Sequence, residues 1–150
     1  MKVCKQHGFT LIELMVVLVI VGIASAAISL SIKPDPLHLL RKDAEQLAQL
    51  LQVAQAEARA DGRAITWQAD AKGFRFSRQN DNGKGTEYFD HDPQLRPRAW
   101  HSLPMNIEVQ PRRAVVLNSE WVTPPLSVQL SDGQQRIRVE RNGAGRVAVQ

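Results

Sequence analysis

Glu13 is the only charged residue between Phe9 and Ile32, in a run built mostly of Leu, Ile, Val and Ala. A carboxylate near the start of such a run costs on the order of 2.5–3.5 kcal/mol to insert in a bilayer, so its presence calls for a partner. A cation held next to it in a low-dielectric setting repays desolvation only in the right register, which would make Glu13 a device for fixing register. A protonated, unpaired carboxyl is the alternative.

The remaining reactive side chains do not assemble into a site. His7, His38, His91 and His101 are scattered, and neither a Gly-x-Ser-x-Gly elbow nor a phosphate-binding loop is present, so catalysis is not expected. Cys4 is the single cysteine, which rules out an intrachain disulfide. Asp81-Asn82-Gly83 lacks the alternating oxygen ligands and closing Glu of an EF-hand loop. Asp90-His91-Asp92 has no second ligand group at a matching spacing, so neither metal nor cofactor is expected. Arg136, Arg138, Arg141 and Arg146, with Arg112 and Arg113 upstream, form a candidate basic surface. Alternation of Arg136 and Arg138 with Ile137 and Val139 would make one strand face cationic, either to meet nucleic acid or to keep an edge soluble.

The elements that carry these residues follow from periodicity. At helical rise, the run over 9–32 is long enough to cross a bilayer. Lys2 and Lys5 precede it and Asp35 follows, which places the N-terminus in the cytoplasm and the rest outside. Ala24-Ser25-Ala26 also fits a secretory cleavage pattern, but Glu13 is a poor choice for a disposable apolar segment. Pro34 and Pro36 punctuate the end of the run. Leu37, Leu40, Ala44, Leu47, Leu51, Ala54 and Ala58 then recur at steps of three and four, predicting an amphipathic helix that stops at Asp61-Gly62.

Beyond Gly62 the pattern shortens to period two: Ile65 with Trp67, Phe74 with Phe76, Ile107 with Val109, Val115 with Leu117, Leu126 through Leu130, Ile137 with Val139, and Val147 with Val149. Asp70-Ala71-Lys72-Gly73, Asp132-Gly133 and Asn142-Gly143-Ala144-Gly145 read as turns. An antiparallel sandwich or meander accounts for the spacing, with the helix packed across it. The segment between Ser77 and Trp100 lacks periodicity over Gln79–Gly85 and reads as a mobile loop, with Tyr88 and Phe89 returning to the surface of the head.

The residues Lys5-Gln6-His7-Gly8-Phe9-Thr10-Leu11-Ile12-Glu13-Leu14 resemble the processing site of type IV prepilins and type II secretion pseudopilins. The resemblance implies that a prepilin peptidase cuts between Gly8 and Phe9 and methylates the new amine of Phe9. It also supplies Glu13 with a partner, the freed N-terminus of a neighbouring subunit. Loss of Lys2 and Lys5 with the leader would lower the formal charge from +4 to +2 and remove Cys4. The chain then divides into a leader (1–8), a transmembrane helix (9–32), an amphipathic helix (33–62) and a periplasmic β-rich head (63–150). This is an α+β architecture, a long helix that is transmembrane in its first half and packs by its amphipathic second half on an antiparallel, sandwich-like head.

A second, looser resemblance runs through Leu40–Ala48, Ala54–Arg63 and Gly73-Phe74-Arg75-Phe76, toward minor pseudopilins of the general secretion pathway protein H type. It implies a single-pass inner-membrane protein that becomes a structural subunit near the tip of a periplasmic pseudopilus. Its partners would be the other minor pseudopilins, the major pseudopilin and candidate exoprotein cargo, in support of export of folded proteins through the outer membrane. The rival is a minor type IV pilin that binds DNA in natural transformation. Against DNA as a partner, Gly145-Arg146 is followed by Val147-Ala148, so the second arginine of a Gly-Arg-x-Arg tail is missing.

Overall fold

The computed structural model describes residues 9–31, 35–120 and 122–150, with the side chains of 28–31 left aside. Its two compact units divide between Pro34 and Asp35 and are taken in turn.

The first holds helix α1 (Leu11–Ser31). The Thr10 carbonyl accepts the amides of Glu13 at 3.1 Å and Leu14 at 3.3 Å, which starts the helical ladder. Its large apolar side chains are exposed, from Leu11 at 79% through Ile23 at 67%. Among the described residues no helix is long and apolar enough to cross a membrane. The described side chains of this run end at Ala27, short of the expected span over 9–32. The leader, 1–8, lies outside the described residues.

The second unit begins with α2 (Pro36–Asp61). Asp35 caps it in extended conformation, its side chain accepting the Leu37 amide at 3.0 Å, and Pro36 occupies the first turn where no amide hydrogen is needed. Gly62, at φ +68°, ends the helix in the left-handed region that a side chain would disfavour. Six of the seven stripe residues, Leu40 to Ala58, are fully buried. Leu37, in the first turn of the helix, is 37% exposed.

The stripe covers two antiparallel sheets. In the first, β1 (Ile65–Ala69) lies between β2 (Gly73–Gln79) and β6 (Val115–Leu117), while β3 (Thr86–Tyr88) and β4 (Arg98–Ala99) share the far edge of β2. In the second, β5 (Asn106–Gln110), β7 (Leu126–Ser131), β8 (Arg136–Arg141) and β9 (Val147–Val149) follow one another in that order. Trp67 opposite Phe76, Ile65 opposite Leu117, and Val128 opposite Val139 put the apolar set of each strand on one face. The helix touches strands of both sheets, and all three elements share one core.

The turns form where expected. Asp70 accepts the amides of Lys72 and Gly73, and Asp132 those of Gln134 and Gln135. The segment after Ser77 departs from the loop reading. It carries β3 and β4, and it buries Phe89, Leu95 and Trp100. These apolar residues stand singly between polar ones, so no periodicity announces them, yet each fills a place in the core. Tyr88 stays at the surface under the Arg75 guanidinium. Gly73 is needed where β4 crosses β2, because a Cβ there would overlap the Arg98 carbonyl oxygen.

Candidate functional site

Glu13 sits in the first turn of α1, where the partial positive charge of the helix start favours a carboxylate. No described side chain bonds to it. Phe9, 77% exposed, lies one turn earlier, so the two residues expected to carry assembly are both open to a partner. Gly8, the expected residue before the cut, lies outside the described residues.

The four arginines of the candidate basic surface are not brought together. Arg136 and Arg138 alternate outward along β8, with Arg138 3.5 Å from Glu140, and Arg146 is exposed beside the last turn. Arg141 shares the inward parity of Ile137 and Val139 and is 5% exposed. Its Nη1 donates to Gln55 Oε1 and its Nη2 to the Pro124 carbonyl, each at 3.3 Å. Burial first, then the charge of Arg59, lowers its pKa from the ordinary guanidinium value. Gln55 in turn donates to the Asn118 carbonyl, tying α2 to the chain after β6.

Asp43 is a second buried polar group, one that sequence reasoning passed over. It projects from the covered face of α2 and is 1% exposed. Its carboxylate accepts the His101 amide at 3.0 Å and the Ser102 amide at 2.8 Å, with His101 Nδ1 at 2.6 Å. An Asp–His pair of this kind is two-thirds of a hydrolytic triad, but no described hydroxyl bonds the other ring nitrogen. The arrangement latches the segment before β5 onto the helix.

The acidic loops are occupied in local structure. Asp81 pairs with Arg63, and Asp92 accepts the amides of Gln94 at 2.8 Å and Leu95 at 2.7 Å. Among the described residues no group of three or more His, Cys, Asp or Glu could hold a metal ion. What the chain offers is therefore a helix with uncovered apolar sides, a carboxylate at its start and a head held by buried polar ties.

Two family matches divide this chain between them. Residues 4–29 match the prokaryotic N-terminal methylation motif, and residues 43–145 match the type II transport protein GspH family. The chain belongs to the GspH family. Its fold agrees with solved structures of such proteins. The minor pseudopilin EpsH of the Vibrio cholerae type 2 secretion system superposes with a TM-score of 0.60 at 14% identity, over 75% of this chain and 93% of the other. A second EpsH structure gives 0.59 at 13% identity, over 74% and 95%. The type IV minor pilin FimU of Pseudomonas aeruginosa gives 0.55 at 18% identity, over 74% and 87%. Comparison with curated proteins gave no match. GspH membership and the methylation motif fit the pseudopilin resemblance carried by Lys5–Leu14 and the α2–β1 junction.

Proposed function

We propose that this GspH-family chain is a minor pseudopilin of a type II secretion system, a structural subunit near the tip of a periplasmic pseudopilus. The observation that carries it is the conjunction, in one chain, of a methylation motif over 4–29 with a GspH head over 43–145. In this reading, prepilin peptidase cuts between Gly8 and Phe9 and methylates Phe9. The run over 9–32 holds the chain in the inner membrane, with the N-terminus cytoplasmic and the head periplasmic. On assembly the uncovered sides of α1 exchange lipid for the helices of other minor pseudopilins and the major pseudopilin. Glu13 then takes the amine of a neighbour's first residue, which neutralises it in an apolar setting and rewards only one register. Folded exoproteins are the cargo the assembly exports.

Mass spectrometry of the mature protein from native envelopes should find N-methylated Phe9 at the N-terminus. Cross-linking in the same membranes should capture pseudopilins. Glu13→Leu should keep the head folded but drop the subunit from the filament. A mature chain starting elsewhere, or normal incorporation of Glu13→Leu, would overturn the proposal. The fold likeness to FimU supports one rival, a minor type IV pilin, and cross-links to type IV pilins instead would select it.

A further inference from the structure

Behind β6 and β7, a cavity of about 230 Å³ opens among Pro111, Arg113, Pro124, Pro125 and Arg141. Arg141, one of its lining residues, is almost wholly buried, and Arg113 is exposed. The Arg141 guanidinium has only neutral oxygens for partners, both at 3.3 Å, and its Nε has no hydrogen-bond acceptor. No described carboxylate pairs with it, and the charge felt most from its surroundings is that of another cation, Arg59. A guanidinium taken out of water without an anion is costly, and its flat fork of donors matches a carboxylate better than a carbonyl. The cavity lining adds a second cation, Arg113, and its described residues include no acid.

We infer that this cavity is a receptor for a peptide carboxylate, an acidic side chain or chain terminus presented by another protein, held by the Arg141 fork within and by Arg113 outside. The prolines and the side chains of Val115 and Leu126 give the peptide an apolar wall beside the charge. A nucleic-acid backbone is a poorer match. Arg136 and Arg138 face the opposite side of β8, so the cations do not line up along a phosphate track. Only the identity of the donor, a neighbouring pilin-like subunit, rests on the proposed function. The carboxylate chemistry does not.

The test is a titration of the isotope-labelled full chain in detergent, reading the Nε–H resonance of Arg141. The probes are three short peptides: one blocked at both ends with a central Glu, one without acidic side chains but with a free C-terminus, and one blocked with Gln for Glu. At least one carboxylate peptide should shift the resonance saturably and bind about tenfold more tightly than the Gln peptide. Whichever carboxylate peptide binds better identifies a side chain or a terminus as the donor. Arg113→Ala should weaken binding severalfold without lowering the unfolding midpoint, and Arg141→Lys, which keeps the charge but not the fork, should weaken it further. Equal response to all three peptides, no response at millimolar concentration, tighter binding of inorganic phosphate or duplex DNA, or an unaffected Arg113→Ala variant would overturn the inference. Such a failure leaves filament assembly untouched, because that is read from Phe9 and Glu13.

Discussion

Replacing Asp43 by Ala should destabilise the head more than any surface change, and the cost can be worked from the contacts of its carboxylate. Asp43→Ala removes the acceptor for the Ser102 amide, which is buried, and for the amide and ring nitrogen of His101. Hydrogen bonds to a charged acceptor are worth roughly 1.5–3 kcal/mol each, and a buried donor left bare costs about 1–3 kcal/mol. These figures overlap, so the expected loss is about 3–4 kcal/mol rather than their sum. Asp43→Asn keeps the volume and one acceptor but turns an amide toward a donor, for a loss of about half as much. His101→Ala removes only the bond from a ring that is 39% exposed, which should cost under about 1 kcal/mol. Guanidinium unfolding of the full chain in detergent, followed by tryptophan fluorescence, reports the order directly, since Trp100 adjoins the latch. An Asp43→Ala variant within about 0.5 kcal/mol of wild type, the range of ordinary surface changes, would refute the reasoning.

Two further predictions concern turns and crossings. Gly73→Ala should push β4 off β2 at a cost of about 1–3 kcal/mol, and the Trp100 amide, which donates to the Lys72 carbonyl, should exchange with solvent faster while β7 amides do not. Backbone amides of Lys72 and Gly73 hold the Asp70 carboxyl below the usual aspartate range, and those of Gln135 and Gln134 do the same for Asp132. A carboxyl whose pKa is depressed on folding adds stability above its unfolded pKa and loses it as pH falls through the folded one. Carbon-detected titration should therefore find both carboxyls ionised to lower pH than in the unfolded chain, and equal values would contradict the turn geometry.

Much of the fold was legible because it is written locally. The stripe from Leu40 to Ala58 and the turns at Asp70 and Asp132 involve neighbours in sequence, and each formed as periodicity and turn chemistry require. The single apolar residues Phe89, Leu95 and Trp100 had no such pattern, and only the tertiary core explains their burial. The Asp43 latch joins residues 58 apart, beyond any periodicity, although an acidic residue beside Ala44 on the covered side of a helix was a usable hint. Arg141 was also within reach. Counting by twos from Ile137 puts it inside, whereas grouping it with Arg136 and Arg138 by composition put it on the surface. Glu13, expected from the sequence to carry assembly, stood out for the opposite reason, because a lone carboxylate in an apolar run needs no fold to be conspicuous.

Helix α2 touches strands of both sheets, and its polar ties through Asp43 and Gln55 lie more than two turns apart along it. Tension applied along its axis would therefore meet resistance from many contacts at once, in shear. A head fastened this way is suited to holding its shape under axial load.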